Sequence, residues 1–366
     1  MWRTQEAIRV ADDAPARNVD RVATARRAEG SRRPRLTHRH VDVVLEVLLT
    51  VALASGFASW TIGTGWVRWA TGVHAASGLT VLILSGSKLR GSVRTGMRRG
   101  RATRWVSVGF GLLVLATVAL GLLHATGLWS GVGVGTAMWT HTLLGVVVAP
   151  VLAWHVVSRP SRARIADLDR RAVLGAGVAV AAGTGLVLTQ EVGVRLAGQG
   201  GAERRPTGSH AVGSFRPEAM PTVSWLDDQA PTTAAADWVL EVAGRPVDLA
   251  ALRRRARPLE ATVDCTGGWS STQSWDAVPL GSLLGEASGR SIRVTSATGY
   301  SRLFPFADRD VLHLAVGYGG QPLRRGHGAP VRLVAPGRRG PWWVKWVTTV
   351  DVDDRPWWLQ LPLPLE

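Results

Sequence analysis

Cys265 is the only cysteine in 366 residues, so no intramolecular disulfide is open to it. Its chemistry is that of a thiolate, or it is merely a small buried hydrophobe. It ends an alternating, β-branched run (Leu259, Ala261, Val263) that reads as a strand, and Gly267 and Gly268 follow at once. The sulfur therefore sits where a strand gives way to a loop, and a soft thiolate in that position is a metal-ligand candidate. A second set of metal-ligating side chains lies in the N-terminal half. His74, His124 and His141 fall toward one end of apolar stretches, and His155 follows His141 by fourteen residues. That interval is nearly four helical turns, so both imidazoles share one helix face about 21 Å apart. Imidazoles at two depths of a helical bundle suit axial ligation of b-type haem. The plainer alternative is interfacial histidine bonded to headgroups or backbone. In the haem reading the outer three supply candidates for two axial positions, whereas His155 has only His38 or His40 nearby as a partner.

Five apolar stretches must position these histidines: 43–60, 69–87, 105–128, 138–157 and 172–189. Each, at about 18 to 25 residues, is long enough to cross a hydrocarbon core as a helix. The connection 88–104 carries Lys88, Arg90, Arg94, Arg98, Arg99, Arg101 and Arg104, and 159–171 carries five arginines, whereas 126–137 carries no charge. Positive loops stay on the cytoplasmic side, which puts the N-terminus inside and everything after the fifth helix outside. Seventeen tryptophans against two tyrosines suit membrane interfaces and a Trp-lined site. The net charge of +16 is concentrated in particular loops rather than spread over a soluble domain, so no nucleic-acid partner is expected.

The chain divides accordingly. Residues 1–40, with Arg26, Arg27, Arg32, Arg33, Arg35 and Arg39, read as a disordered basic cytoplasmic arm. Residues 41–158 read as a four-helix transmembrane bundle, and 159–190 as a fifth span. That span opens on Asp169-Arg170-Arg171, which looks like an internal twin-arginine export signal or a plain positive-inside flank. Residues 191–219, rich in Gly, Arg, Pro and Ser, read as a linker. Residues 220–366 read as an α+β domain with a mixed sheet: strands at 238–242, 292–296, 311–316, 331–334 and 344–352, and a short helix at 249–256. The expected fold class is thus multi-domain, an all-α bundle of five spans followed by an α+β domain.

Cys265 with Gly267, Gly268 and the Trp275-to-Leu284 stretch, then His327-Gly328-Ala329-Pro330-Val331-Arg332, Pro336-Gly337, Gly340 and Val344-Lys345-Trp346, resemble the oxidoreductase molybdopterin-binding domain of the sulfite oxidase family. The resemblance runs from about Met220 to the C-terminus. The bundle resembles cytochrome-b-type anchor subunits by topology and histidine placement.

The resemblance implies a Mo-molybdopterin cofactor, with Cys265 as the thiolate that completes the metal's protein ligation. It places Arg332 and Lys345 on the cofactor's anionic and polar groups, adds His327 as a further contact, and gives Trp343 and Val344 main-chain contacts. Thr298 lies close to another family contact. A solvated basic face is the plain alternative for Arg332 and Lys345. The expected activity is two-electron oxygen-atom transfer with a small-molecule oxygen donor or acceptor, exchanging electrons through the bundle with a quinone or a redox protein. Thr266-Gly267-Gly268-Trp269-Ser270 lacks the basic residues that sulfite-oxidising relatives place after the cysteine, which favours a neutral oxide such as a sulfoxide. Arg302 and Arg338-Arg339 remain as cations for an anion pocket. A reading from a different class is a non-catalytic binding or sensor module on a membrane anchor. A Cys–His hydrolase has no local signature here, and neither a phosphate-cradling Gly-Lys-Ser/Thr loop nor a zinc-type cysteine pair is present.

Overall fold

The computed structural model describes residues 38–61, 65–99, 103–158, 170–224 and 228–361. The basic arm up to residue 37, the stretch 159–169 with Asp169, and Trp225–Asp227 lie outside the described residues, so the arm and the full twin-arginine motif are not seen.

Five long helices come first: α1 (His38–Thr61), α2 (Val67–Arg99), α3 (Thr103–Thr126), α4 (Ala137–Val157) and α5 (Arg170–Leu196). Their Leu-, Val- and Ala-rich runs pair the interior backbone polar groups within the helix, which is what an apolar surrounding demands. All five are long and apolar enough to cross a membrane. Val47, Leu112, Val146 and Leu188 point outward rather than into a core, as they would against lipid. α4 begins where Thr136 Oγ1 accepts from Trp139 N at 3.3 Å, an N-cap that satisfies one of the first-turn amides. α2 is central, packing on α1, α3 and α5, while α4 packs chiefly on α3. The shared interior is built from Leu45, Leu48, Val81, Leu84, Val114, Val148 and Ala179.

The C-terminal part is a two-sheet α+β domain. One sheet runs β1 (His210–Ala211), β5 (Trp269–Pro279), β8 (His313–Tyr318), β10 (Arg332–Val334), with β4 (Arg257–Asp264) also on β5 and β9 (Gln321–Pro322) on β8. The second runs β3 (Arg245–Pro246), β2 (Glu241–Val242), β11 (Val347–Asp353), β6 (Ser291–Ser296), β7 (Ser301–Pro305). Both are mixed, since β1–β5 and β2–β11 are parallel pairs among antiparallel ones. Helix α6 (Leu249–Arg255) is capped by Asp248, whose carboxylate accepts from Ala250 N and Ala251 N at 3.0 Å, and α7 (Gly281–Leu284) is a single turn. Leu240, Val263, Trp275, Leu284, Val294, Leu314, Leu333 and Val350 fill the core between the layers.

The stretch expected to be a linker is built into this structure. α5 continues to Leu196, a 3₁₀ turn over Gly200–Glu203 packs on α3 and α5, and His210–Ala211 enters the first sheet parallel to β5. Small and polar residues that bury little apolar surface are here held by hydrogen bonds instead, which composition does not register. The domain consequently sits on the ends of α1 and α3: Trp342 Nε1 donates to Thr61 O at 3.0 Å, His124 Nε2 to Gly208 O at 2.9 Å, and His210 Nε2 to His124 O at 2.9 Å.

Candidate active site

β4 and β5 form a hairpin in register from Arg257↔Ala277 to Asp264↔Ser270. Cys265 to Gly268 are the loop that joins them, closed by Cys265 N donating to Trp269 O (2.8 Å) and Gly268 N to Cys265 O (3.2 Å). Gly268 has φ of +85°, and a Cβ there would lie 2.7 Å from His124 Cε1, so the loop requires glycine for both its turn and its seat on α3. The Cys265 thiol faces a groove and is buried; Gly267 N points at its Sγ from 3.4 Å. Burial pushes the thiol pKa up, opposed by the Gly267 amide and the charges of Arg339 and Lys345.

The residue beneath this loop was not singled out in the sequence. Asp264 is buried and accepts from Ser209 Oγ (2.7 Å), Thr207 Oγ1 (2.9 Å), Arg205 Nε (3.1 Å) and the Arg339 guanidinium. Three of the four donors come from the stretch 205–209, the fourth from the loop that packs behind the cysteine. Its signal was present only as an acidic neighbour of Cys265.

Arg332, on β10, reaches the same groove as Cys265. Its guanidinium lies beside both Trp275 (4.9 Å) and Trp343 (5.5 Å), whose rings also touch each other, donates to His327 O at 2.9 Å, and leaves Nε buried with no partner. Burial lowers its pKa to about 10, still well above neutrality, so it stays charged. Lys345 also lines the groove, with Nζ donating to Gly326 O (2.6 Å) and Val223 O (2.9 Å); burial and then Arg332 lower its pKa to about 7. A solvated basic face is therefore excluded for this pair.

His327 does not present a donor to the groove as expected. Its Nδ1 meets Tyr318 Oη at 2.8 Å and its Nε2 meets Thr222 Oγ1 (2.9 Å) and Met220 O (3.1 Å). Burial, then Arg332 and Lys345, lower its pKa to about 4. A neutral ring that takes the Tyr318 proton on Nδ1 and gives its own from Nε2 fits all three partners. It is a strut between the groove's two walls. Thr298 is also displaced from expectation: it is exposed on a turn and bonded to Ser296 Oγ at 3.0 Å, and the groove residue nearby is Tyr300, whose hydroxyl donates to Pro341 O. Trp343 lines the groove and its amide donates to Gly340 O, while the Val344 carbonyl accepts from Leu333 N, so those two main-chain groups serve the fold.

The cations offered for an anion pocket are all committed elsewhere. Arg302 lies 4.0 Å over Trp342 and donates to Leu361 O, Arg338 pairs with Asp308 at 2.7 Å, and Arg339 pairs with Asp264. Trp275 is buried beneath Arg332 and does not line the groove, whereas Trp269 does and has its Nε1 buried without a partner.

In the bundle, the structure selects among the three outer histidines. His74 and His141 face each other with ring centroids 5.7 Å apart. Each donates from Nδ1 to a carbonyl of a neighbouring helix, Ala52 O (2.8 Å) and Thr117 O (2.7 Å). Gly56 and Gly121 make room, since a Cβ at either would lie 2.8 Å and 3.1 Å from the His74 and His141 rings. His124 is turned away toward Gly208 and stacks edge-on against His210 at 4.8 Å. His155 packs on Phe110 at 5.1 Å. Among the described residues no group of three or more His, Cys, Asp or Glu is arranged to hold a metal ion.

Residues 228–358 match the family model described as the oxidoreductase molybdopterin binding domain. The matched region is similar to an oxidoreductase molybdopterin binding domain, and it contains Cys265, His327, Arg332, Trp343, Val344 and Lys345. Among solved structures, the chain is similar to the sulfane dehydrogenase SoxCD from Paracoccus pantotrophus, at 27% identity and a TM-score of 0.32, over 34% of this chain and 40% of that one. The chain thus spans well under two thirds of that relative's length. A search of curated proteins finds no match.

Two outcomes follow from the buried groups. Asp264→Ala strands the Arg339 charge, which is only 1% exposed, and costs about 3–5 kcal/mol. Adding Arg339→Leu recovers much of that loss, as thermal unfolding of the full chain in detergent will read. For His327, the folded pKa of about 4 lies below the ordinary 6.5, so the unfolded chain binds more protons between those values. Stability then rises with pH across that window and is lost as pH falls from 6.5 toward 4. The melting temperature at pH 5 should fall below that at pH 7, and His327→Gln should remove that part of the difference.

Proposed function

We propose that the protein is a membrane-bound, molybdopterin-dependent oxidoreductase that performs two-electron oxygen-atom transfer at Cys265 and exchanges electrons with the membrane through its helical bundle. The observation that carries this is the groove itself. One thiol, one buried guanidinium with an unpartnered Nε, one lysine and one unpartnered indole Nε1 converge within it. Buried polar atoms left without partners point to a ligand that completes them. A soft sulfur beside fixed cations is the donor set that a dithiolene-held metal with an anionic tail needs.

Molybdenum held by the pterin supplies the oxygen-atom chemistry when bound; the protein's part is binding, orientation and exclusion of water. Cys265 gives up its proton on coordination, because a metal ion deprotonates a bound thiol outright. Burial that raises the free thiol's pKa thus keeps the metal-free side chain protonated, and metal loading releases a proton. Arg332 and Lys345 hold anionic and polar groups of the cofactor, Arg332 being prevented from turning away by Trp275 and Trp343. His327, neutral and bonded through both ring nitrogens, ties β8 to the 220–222 segment, and its carbonyl accepts from the Arg332 guanidinium. Trp269 and Thr266 line the groove beside the sulfur. With Arg302, Arg338 and Arg339 all paired or stacked, a neutral oxide such as a sulfoxide suits this mouth better than sulfite.

The bundle's electron carrier is proposed to be b-type haem between His74 and His141. An imidazole that ligates a metal ordinarily donates its other N–H to a backbone carbonyl, fixing the tautomer, and both rings do so. The domain abuts the ends of α1 and α3 near Thr61 and His124, away from the arginine-rich connections. With the positive-inside assignment, this supports a cytoplasmic N-terminus and an extracytoplasmic catalytic domain, with a quinone or redox protein as electron partner.

Purified protein should carry stoichiometric molybdenum and a reduced-minus-oxidised Soret band. Cys265→Ser should abolish the metal and turnover but leave the Soret band. Arg332→Ala should weaken cofactor retention about 10- to 100-fold, as loss of a supporting contact does. His74→Ala or His141→Ala should remove the Soret band while sparing molybdenum content. A folded, metal-free wild-type protein would favour the binding-module reading instead.

A further inference from the structure

The loop that carries Cys265 is joined to the bundle by more than packing. His141 donates from Nδ1 to the Thr117 carbonyl on α3 at 2.7 Å. Two turns further along the same helix, His124 ends the span, and its carbonyl accepts from His210 Nε2 at 2.9 Å. The His210 amide donates to Gly268 O at 3.0 Å, and the Gly268 amide donates to Cys265 O at 3.2 Å. Every link is covalent or a hydrogen bond of ordinary length. The His124 ring stacks edge-on to His210 and presses on Gly268, where even a methyl group would be 2.7 Å from its Cε1. Two further hydrogen bonds join bundle and domain: His124 Nε2 donates to Gly208 O at 2.9 Å, and Trp342 Nε1 donates at 3.0 Å to Thr61 O on α1, the helix whose Ala52 carbonyl accepts from His74; Trp342 itself lies outside the Cys265–Gly268 loop.

We propose that α3 and His210 form the electronic bridge between the His74–His141 pair and the Cys265 loop, with His210 as the positioning residue that closes it. This rests on the haem and molybdenum reading above and adds the route. In the reducing direction, a haem held by the pair would pass one electron at a time and be re-reduced between the two passes by the quinol or redox protein named above as electron partner. The two electrons, with two protons from solvent, convert a sulfoxide to a sulfide and water. Contiguity alone does not demonstrate coupling, so a rate must be measured.

Full-length protein in detergent, reduced with limiting dithionite, is mixed with dimethyl sulfoxide and Soret reoxidation is followed by stopped flow. Haem midpoint potential, molybdenum content and hydrogen exchange of residues 206–212 are measured on the same samples. His210→Leu should slow reoxidation about tenfold or more, with potential and molybdenum content unchanged. His210→Gln, which keeps a side-chain donor, should stay within about twofold of wild type, and Trp342→Phe should leave the rate alone. An unaltered rate in His210→Leu overturns the bridge. Equal slowing in Trp342→Phe, with faster hydrogen exchange in 206–212 for both variants, also overturns it, since His210 is then only a clamp. Wild-type protein without a Soret band or molybdenum overturns the underlying reading instead, so the two failures are distinguishable.

Discussion

The buried carboxylate of Asp264 holds the rest of the structure in place. An ionised carboxylate at that depth is tolerable only if its lone pairs are filled, and the four donors that fill them come from two separate pieces of chain. Arg205, Thr207 and Ser209 bring in the segment leaving the five long helices, and Arg339 brings in the loop behind Cys265. One anion thus decides where the hairpin ends, where the C-terminal loop lies and where the bundle is relative to both. Because Asp264 is the last residue of β4, the next residue is delivered to the groove with little freedom left.

Burial of positive charge is the second organising constraint. Arg332 packs against two neighbouring indoles, and Lys345 is tied to two carbonyls, so both cations are pre-placed and partly desolvated. Holding a cation this way costs solvation, which the Trp275 and Trp343 faces and the His327 carbonyl offset only in part. The remaining deficit, visible as an unpartnered Nε, is what an anionic cofactor would relieve. The same field keeps His327 neutral, so the groove has a rigid uncharged strut next to its charges.

Docking of the domain onto the helix ends links these two halves physically. The contacts are few, but they involve the loops that flank the cysteine: Gly268 against His124, and Trp342 against Thr61. Residues of the helical bundle therefore contribute to shaping the groove, and the chain behaves less like two domains on a string than like one body.

Much of this was legible in the amino-acid order. Five apolar runs appeared as five helices, because in an apolar surrounding length and hydropathy alone dictate the helix. The strand before Cys265, the short helix at 249–255 and the alternating C-terminal strands followed from period and from glycine and proline boundaries. The solitary cysteine, Arg332 and Lys345, each singled out in the sequence, line one groove. Tertiary structure alone decided the rest. Strand β5, rich in serine and threonine, and strand β1 in a polar segment exist because of their partners, not their own propensity. His327 became a strut, Thr298 turned outward, and Arg339 was claimed by Asp264, since a polar side chain's role depends on which donor or acceptor lies across from it. Likewise, spacing along helices could nominate three imidazoles, but only the crossing of α1, α2, α3 and α4 could bring His74 against His141 and turn His124 toward the C-terminal domain.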